Sequence, residues 1–498
     1  MQRASVSVFP VKVLGEVDPN IYGHFIEHLG SCIYGGIWDV EKDTFNEKVI
    51  RSIMALKPPV IRWPGGCFSD NYHWMDGIGP VEERPVRENT PWSLLGPEYG
   101  PLETNRFGTD EFIELCRRVG AEPYINVNVG SGTPEEAANW VEYCNGGADT
   151  RFGELRAKYG HREPYGVKYW GVGNELYGSW ETGHMSAEEY AERFIEFHDA
   201  MKAVDPSIKL VAVGADDRYP GWTETVLRKA GGYMDYLSIH LYFTGCFPEE
   251  GGSEIGEDLK SYRRIIASSY LFGDVLRRVG ETIESVLGKD HGVRIAFDEW
   301  NLWWDLGQLL HANHYLRDGL WAASVLNKMI KMSNMVRMAN IAQLVNVLGI
   351  IQTDGGAVFH TAIYEVVKLY REHTQKLAVS TEVTTPRFSY EPLGILKERG
   401  EVPYVDCAAT RSEDGKSLTL FLVNFHPKKN TPTEIEIPKL RSFQKLVIKE
   451  INGPGIHAKN DFGGSEITLT EKEYTQLPEK IEYKLPAHSI TAMILTKT

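Results

Sequence analysis

The sequence has few cysteines for its length, and none of them is arranged as a pair. Six cysteines are scattered through 498 residues without a CxxC spacing. A chain of this size can bury a large apolar core and does not need covalent cross-links. We therefore expect neither disulfides nor a structural zinc site.

Long apolar runs are also missing. The first twenty residues contain no apolar stretch of signal-peptide length, and no later stretch approaches the roughly 18 apolar residues of a membrane span. We therefore expect a cytoplasmic protein with no membrane contact.

Basic residues are outnumbered. The sequence has 53 Lys and Arg against 68 Asp and Glu, which gives a net charge of -15. Such a surface repels nucleic acid and anionic membranes. We expect no nucleic-acid partner, and a neutral substrate is the simpler assumption.

Short apolar or β-branched runs alternate with helical patterns from about residue 20 to residue 370. Eight of these runs are predicted to be strands: 21–27, 59–63, 122–129, 167–175, 208–215, 234–243, 293–301 and 341–349. Eight strands interleaved with helices predict an α/β protein with a (β/α)8 TIM barrel.

Two helices between these strands are marked clearly. Thr133 and Pro134 begin a capping pattern directly after the third predicted strand. Residues 186–204 carry apolar side chains at helical spacing.

The pattern changes after a predicted helix at 364–374. Alternating runs separated by Gly, Pro and Asn follow, and they predict a C-terminal antiparallel β-sandwich of jelly-roll type. The alternating segment near the N-terminus is expected to add a strand to it. The predicted domains are residues 1–16 (that strand), 17–375 (the barrel) and 376–498 (the sandwich).

Two glutamates stand where a barrel enzyme carries its chemistry. Glu175 ends the fourth predicted strand and Glu299 lies near the end of the seventh. Catalytic groups of such barrels lie at the carboxyl ends of the strands. Glycoside hydrolysis needs two carboxyl groups that flank the scissile bond, about 5 to 5.5 Å apart when one of them attacks the sugar. The adjacent Asn174 offers an amide for a sugar hydroxyl, although an isolated Asn-Glu pair is more often a helix cap.

Asp298 competes with Glu299 for the second role. Adjacent strand residues face opposite sides, so only one of the two is expected to point at the substrate. Spacing alone leaves the choice open.

A metal-dependent reaction is not indicated. His24 and His28 are four residues apart, but no glutamate follows His24 and the segment is predicted to be a strand, so the zinc-protease pattern fails. We expect no metal site and no cofactor.

Several segments together resemble family 51 of the glycoside hydrolases, the α-L-arabinofuranosidases of clan A. They are GHFIEHLG (23–30), IRWPGGCFSDNYHWMDGIGP (61–80), YWGVGNELYG (169–178), LSIHLYF (237–243), FDEWN (297–301) and AQLVNV (342–347). The resemblance runs in order over essentially the whole chain. It implies that Glu175 is the general acid/base and Glu299, rather than Asp298, the nucleophile.

The resemblance also implies a set of substrate-binding residues. Glu27, Asn174 and Gln343 would form hydrogen bonds with the arabinofuranose. Trp92 and Trp303 would form apolar walls of the pocket.

Three further residues are implied to support the carboxylates. Tyr242 would orient the nucleophile, His240 would lie close to the acid/base pair, and Arg62 would hold the nucleophile ionised. Cys67 stands where many relatives have Asn. A thiol is a weak hydrogen-bonding group, so its sugar contact is less secure, and a small buried apolar role is the alternative.

The expected activity is retaining, exo-acting removal of terminal α-L-arabinofuranosyl residues, with arabinofuranosyl oligosaccharides as substrates. Glu175 should then have the higher pKa of the catalytic pair. Two alternatives remain: another retaining clan A hydrolase, such as an endo-glucanase or xylanase, and a noncatalytic sugar-binding protein. The resemblance further implies a homo-oligomer, often a hexamer.

Overall fold

The computed structural model describes residues 3–243, 259–303, 310 and 312–497. These residues form a closed eight-stranded barrel and a separate nine-stranded sheet. No helix within these ranges combines the length and the apolar character needed to cross a membrane.

Eight parallel strands form the barrel. We number them 1 to 8 in chain order: Gly23–Phe25, Val60–Trp63, Glu122–Val127, Tyr169–Val172, Lys209–Val213, Tyr236–Phe243, Arg294–Leu302 and Val336–Ala342. Strand 8 pairs with strand 1 and closes the ring. The predicted (β/α)8 barrel is therefore confirmed.

Helices follow the strands and surround the barrel. They are Glu47–Leu56, Thr90–Ser93, Thr109–Val119, Pro134–Asn145, Arg151–Lys158, Ala187–Val204, Trp222–Ala230, Leu259–Leu287, Leu316–Lys331 and Ala362–His373. Thr133 caps the fourth by accepting a hydrogen bond from the amide of Glu136, and Ser186 caps the sixth with a full capping box. A capped N-terminus satisfies amides that have no partner within the helix.

The predicted boundaries of strands 4 and 8 were wrong by three residues or more at one end or both, and those of the other strands by at most two. Strand 8 was predicted at 341–349, but it spans Val336–Ala342, because Arg337 and Asn340 interrupt its apolar pattern. Strand 4 ends at Val172 rather than at Glu175. After strand 8 the chain continues with buried apolar residues, which a pattern search cannot distinguish from a buried strand. After strand 4 the residues Gly173, Asn174 and Glu175 continue at the rim of the barrel without strand pairing.

The second sheet contains nine strands. They are Ala4–Glu16, Leu377–Thr384, Val405–Arg411, Ser417–Asn424, Thr431–Glu436, Lys445–Asn452, Thr468–Tyr474, Ile481–Leu485 and Ser489–Thr496. Its pairs are antiparallel except for the parallel pair between the first and fifth of these strands. This is the expected C-terminal β-sandwich with one parallel pair added.

The sheet has two buried faces. Leu420 and Leu422 point into the sandwich's own core, whereas Phe421 and Val423 between them join the core of the barrel. Side chains alternate along a strand, so one strand serves both cores. Phe421 stacks on Tyr370 with ring centroids 4.0 Å apart. We propose that the domains divide at residues 16 and 375.

A buried ion cluster joins the two parts. Asp406 of the sheet lies 3.0 Å from Lys328 Nζ and 3.2 Å from Lys331 Nζ, both on the helix Leu316–Lys331. Burial opposes ionisation of Asp406, but the two ammonium groups outweigh it and hold its pKa well below its usual range. The carboxylate is therefore charged and neutralises two cations at the interface.

We expect Asp406→Asn to lower the free energy of unfolding by about 3–5 kcal/mol, because it leaves two cations near the interface without their counter-charge. Glu413→Gln is the control: it breaks the exposed ion pair of Glu413 with Lys376 and should cost at most about 1 kcal/mol. Denaturant unfolding followed by circular dichroism measures both. Equal costs for the two variants would contradict the prediction.

Candidate active site

The carboxyl ends of the barrel strands bring residues from distant parts of the chain to one rim. Glu27 lies two residues after strand 1, Asn174 and Glu175 lie just after strand 4, and Gln343 directly follows strand 8. Parallel strands expose this end on a single face of the barrel. Strands 2, 6 and 7 supply the remaining groups from within the strands.

Glu299 on strand 7 is held by two donors. Arg62 Nη1 donates to its Oε1 at 2.6 Å, and the Tyr242 hydroxyl donates to its Oε2 at 2.7 Å. Charge-assisted hydrogen bonds of this kind favour the ionised carboxylate. Glu299 is thus fixed in place by donors on both of its oxygens.

Glu175 has a different set of partners. Its Oε1 lies 2.9 Å from His240 Nδ1 and accepts from the Tyr177 hydroxyl at 3.2 Å. Its Oε2 accepts from Trp180 Nε1 at 3.1 Å. The backbone of Glu175 is left-handed, with a φ of 43°, a conformation that costs a non-glycine residue energy and recurs at functional sites.

The two glutamates are close together. One carboxylate oxygen from each, together with a ring nitrogen of His240, lie within 4.8 Å of one another. A gap of this size suits direct attack by one carboxylate on a sugar carbon. An inverting enzyme needs about 6.5–9.5 Å to admit a water molecule.

Strict alternation along strand 7 predicts that Asp298 faces away from Glu299, but this is not observed. The register between strands 6 and 7 shifts so that Ser238 pairs with Ala296 and His240 with Glu299. This bulge turns both carboxylates inward, since bulges redirect side chains. Asp298 lies below Glu299 with no exposed surface and accepts from Tyr124 at 2.7 Å.

A polar chain connects Asp298 to Glu175. Ser238 Oγ donates to Asp298 Oδ1 at 2.6 Å and lies 3.0 Å from His240 Nε2, while the other ring nitrogen of His240 contacts Glu175. Burial acts to lower the pKa of His240, but the surrounding carboxylates, Glu299 first, outweigh it and raise the pKa to about 10. His240 is therefore protonated at neutral pH.

The protonation of Glu175 differs from the expectation. Burial acts to raise its pKa, but hydrogen bonds from His240 first, and then from Trp180 and Tyr177, outweigh burial and lower the pKa below its usual value. The proton expected on Glu175 thus lies on His240. A sequence pattern could not reveal this, because it depends on which group touches the carboxylate.

The pKa of Glu27 is shifted in the opposite direction from that of Glu175. Its Oε1 accepts from the amides of Gly66 and Phe68, each at 3.1 Å, and its Oε2 accepts from Gln343 Nε2 at 3.1 Å. Burial, with the charge of Glu299 as the next cause, raises the pKa of Glu27 to about 8. Glu27 can therefore donate as well as accept hydrogen bonds in the pocket at neutral pH.

Asn174 is fixed on three sides. Its Oδ1 accepts from Arg62 Nη2 at 2.7 Å, its Nδ2 donates to Glu181 Oε1 at 3.1 Å, and its backbone amide donates to Asp70 at 3.0 Å. The second hydrogen on Nδ2 remains available for a ligand.

Cys67 lies beside Glu181, which the sequence analysis did not single out. Burial raises the pKa of Glu181 to about 9, assisted by the charges of Asp70 and Glu175. Burial, followed by the charge of Glu181, also raises the pKa of the Cys67 thiol well above its usual value. Both groups are protonated at neutral pH.

Gly66 allows this close packing. A Cβ at this position would lie 2.9 Å from Glu299 Oε1, closer than real side chains allow. The backbone can approach Glu299 only because this residue has no side chain.

These groups line a pocket of about 490 Å³. Its walls are Phe25, Glu27, Leu29, Gly66, Cys67, Pro91, Trp92, Leu95, Asn174, Glu175, Tyr177, Trp180, Arg218, Tyr219, Tyr242, Glu299, Trp303, Gln343 and Leu348. The mixture of aromatic faces and converging polar groups is typical of a small-molecule site.

The predicted site residues fall into two groups. Nine line the pocket: Glu27, Cys67, Trp92, Asn174, Glu175, Tyr242, Glu299, Trp303 and Gln343. Arg62 and His240, predicted among the substrate-binding residues, do not line it and instead contact the carboxylates from behind.

Several neighbours of Glu175 were not predicted from the sequence. Tyr177 and Trp180 lie within five residues of Glu175, so their position after the strand was an available indication. Glu181 follows Trp180 directly, and Ser238 and Asp70 lie within the segments 237–243 and 61–80, so proximity in sequence was an indication for these residues too.

A barrel with two close carboxylates at the carboxyl ends of its strands is typical of a glycoside hydrolase. Comparison with known proteins indicates the family of glycoside hydrolases to which the chain belongs. A family described as "Alpha-L-arabinofuranosidase 1 domain" matches residues 52–249, and "Alpha-L-arabinofuranosidase C-terminal domain" matches residues 298–489.

Individual relatives are also named as arabinofuranosidases. The chain is 34% identical, over 88% of its length and 87% of the relative's, to the "Intracellular exo-alpha-(1->5)-L-arabinofuranosidase" of Halalkalibacterium halodurans. It is 40% identical, with a TM-score of 0.89, to the solved structure of the thermostable GH51 α-L-arabinofuranosidase from Thermotoga petrophila, covering 99% of this chain and 100% of that one. The arabinose complex of the Thermotoga maritima α-L-arabinofuranosidase gives 39% identity, the same TM-score and the same coverage. The chain belongs to glycoside hydrolase family 51, the α-L-arabinofuranosidases.

The buried carboxylate Asp298 allows a direct test of the polar chain. Asp298→Asn keeps the shape but removes a negative charge that stabilises protonated His240, so the pKa of His240 should fall by about one unit or more. NMR titration of protein labelled with ¹⁵N at histidine measures it. The control Asp199→Asn removes an exposed carboxylate that contacts His198 and should leave His240 unchanged. An unaltered His240 pKa in Asp298→Asn would contradict the assignment.

Proposed function

We propose that this protein is a retaining, exo-acting α-L-arabinofuranosidase that removes terminal non-reducing α-L-arabinofuranosyl residues from arabinosides. The observation that carries the proposal is the short separation, within 4.8 Å, between carboxylate oxygens of Glu175 and Glu299 at the base of the pocket. Membership of family 51 supports the substrate class, and the separation supports a double displacement.

The nucleophile of the first step is Glu299. Arg62 and Tyr242 hold its two oxygens at 2.6 and 2.7 Å, so the side chain is positioned before the sugar arrives. It attacks the anomeric carbon, the bond to the leaving oxygen breaks, and a covalent arabinofuranosyl enzyme forms.

Glu175 and His240 together supply the proton for the leaving group. A bound sugar replaces water around Glu175, and loss of water favours the neutral carboxyl group. His240 Nδ1, 2.9 Å away, passes its proton to Glu175, and Glu175 passes it to the glycosidic oxygen. Glu175 is then an anion beside a neutral imidazole.

The second step restores the site. Glu175 takes a proton from water, the hydroxide attacks the anomeric carbon, and Glu299 leaves as a carboxylate. The proton on Glu175 returns to His240, so no proton is gained or lost by the enzyme over the cycle. Two displacements on one carbon retain its configuration.

A pocket rather than an open groove supports exo action. Trp92 and Trp303 form apolar walls, and Glu27, Asn174 and Gln343 supply polar groups for the hydroxyls of a terminal furanose. The rival, an endo-acting clan A hydrolase, needs space for polymer on both sides of the carboxylates. Comparing rates on an aryl α-L-arabinofuranoside with those on polymeric glucan and xylan separates the two functions.

We also propose that the protein acts inside the cell on imported oligosaccharides, as the name of the Halalkalibacterium relative suggests. A homo-oligomer, such as a hexamer, is a further proposal that rests on family resemblance. Light scattering determines the subunit number.

Removing either glutamate should give a different kinetic result. Glu299→Ala should lower kcat by about 10⁴-fold or more on every substrate, because no nucleophile remains. Glu175→Ala should lose about 10²–10⁴-fold on poor leaving groups but much less in the first step with an activated aryl leaving group. Azide should restore turnover in Glu175→Ala by replacing the water that needs a base.

The control is Glu188→Gln, an exposed glutamate on the helix that follows strand 4, which should match the wild-type rate. Stopped assays with leaving groups of graded acidity measure these effects. Full activity of Glu175→Ala on natural arabinosides would refute its role.

The stereochemistry gives an independent prediction. Two displacements should release arabinose first as the α anomer, and mutarotation should produce the β anomer only later. Proton NMR of the reaction within its first minutes distinguishes the two anomeric signals. An initial β anomer would exclude the double displacement, and no product would favour a noncatalytic binding protein.

A further inference from the structure

Cys67 is a thiol in a sugar pocket. It lies in the turn after strand 2, it is partly exposed, and it lines the pocket beside Glu175. The other cysteines within the described residues, Cys32, Cys116, Cys144 and Cys407, are buried. Cys67 is therefore the described thiol that a solute in the pocket can reach.

Two carboxyl groups converge on this thiol. The sulfur of Cys67, one oxygen of Glu175 and one oxygen of Glu181 all lie within 4.8 Å of one another. These three atoms come from the loop after strand 2 and the loop after strand 4, both of which the barrel holds at the same rim.

Glu181 has an unused oxygen. Its side chain is 3% exposed, and its Oε1 accepts from Asn174. Its Oε2 has no hydrogen-bond partner among the residues that the structure describes. A buried polar atom without a partner carries a cost, and a cation that replaces the carboxyl proton is one ligand that removes this cost.

The atoms match the preferences of one class of ion. Zinc and cadmium bind thiolate sulfur together with carboxylate oxygen, at about 2.3 Å for sulfur and about 2.0–2.2 Å for oxygen with zinc. Calcium and magnesium prefer oxygen ligands alone. Small side-chain movements bring three atoms spaced within 4.8 Å to these distances.

We propose that Cys67, Glu175 and Glu181 form a binding site for a thiophilic divalent cation of the zinc and cadmium class, and that the cation inhibits the enzyme by occupying Glu175. Binding forms metal–sulfur and metal–oxygen bonds and releases the thiol proton and the Glu181 proton to solvent, with no change of oxidation state. The binding part is independent of the proposed function, whereas the inhibition rests on it.

Cadmium binding tests the site without any assay of activity. A cadmium–thiolate bond has an ultraviolet charge-transfer band, which should appear when the wild-type protein is titrated with CdCl2 in chelator-free buffer. The band should be lost in Cys67→Ser and in Cys67→Asn. The affinity measured from the same titration should fall about tenfold or more in Glu181→Gln.

The matched control is Cys246→Ser, which removes the cysteine that lies outside the described residues and should keep the band. Excess arabinose should weaken the band if the cation and the sugar share the pocket. A band that persists in Cys67→Ser, or that is lost in Cys246→Ser, overturns the site.

Inhibition is measured separately with an aryl α-L-arabinofuranoside. Each variant is compared with its own rate in the presence of EDTA, so a change in basal activity does not affect the result. The zinc concentration for half-inhibition should rise about tenfold or more in Cys67→Ser and Cys67→Asn, and EDTA should reverse the inhibition of the wild type.

Failure of the inhibitory cation site and failure of the proposed function give different results. A cadmium band that depends on Cys67, in a protein without arabinofuranosidase activity, keeps the site and refutes the function. Normal activity with equal zinc sensitivity in the wild type and both Cys67 variants keeps the function and refutes the inhibitory site.

Discussion

The shortage of buried positive charge around the pocket is the constraint on which the chemistry depends. Among the described residues, six carboxyl groups gather there: Glu27, Asp70, Glu175, Glu181, Asp298 and Glu299. Arg62 and His240 are the cations that contact them directly at the base of the pocket. Six buried anions cannot be supported by two cations, because each unpaired buried charge costs several kcal/mol.

Contact with a cation therefore separates the carboxyl groups into two kinds. Asp298, beside His240 and Arg62, has its pKa lowered to about 2, although burial alone would raise it. Glu27 and Glu181 lack such close contact and have pKa values raised to about 8 and 9. The pocket thus contains both carboxylates and neutral carboxyl donors at one pH, and their positions follow from the two cations.

Patterns that depend on neighbouring residues could be predicted from the sequence. The alternation of strands and helices gave the barrel, and the Thr133 and Ser186 caps marked two helix starts. Motif resemblance pointed to nine residues that line the pocket. The predictions that failed concern geometry at longer range. The bulge that turns Asp298 inward depends on the pairing of strands 6 and 7. The raised pKa of His240 depends on two adjacent carboxylates of strand 7 and on Glu175 from the loop after strand 4. The contact between Glu181 and Cys67 was not predicted, because only the fold brings these two residues together.

The sheet pairing that connects residues 4–16 to the C-terminal third of the chain has a consequence for how the protein is made. This strand lies between Leu377–Thr384 and Thr431–Glu436, so it leaves the ribosome more than 350 residues before its partners. Strand 1 of the barrel likewise waits for strand 8. During synthesis the strand Ala4–Glu16, in which buried apolar residues alternate with others, has an unpaired edge. Such an edge is prone to pair with other chains. This strand therefore stays without its sheet partners until both of them have been synthesised.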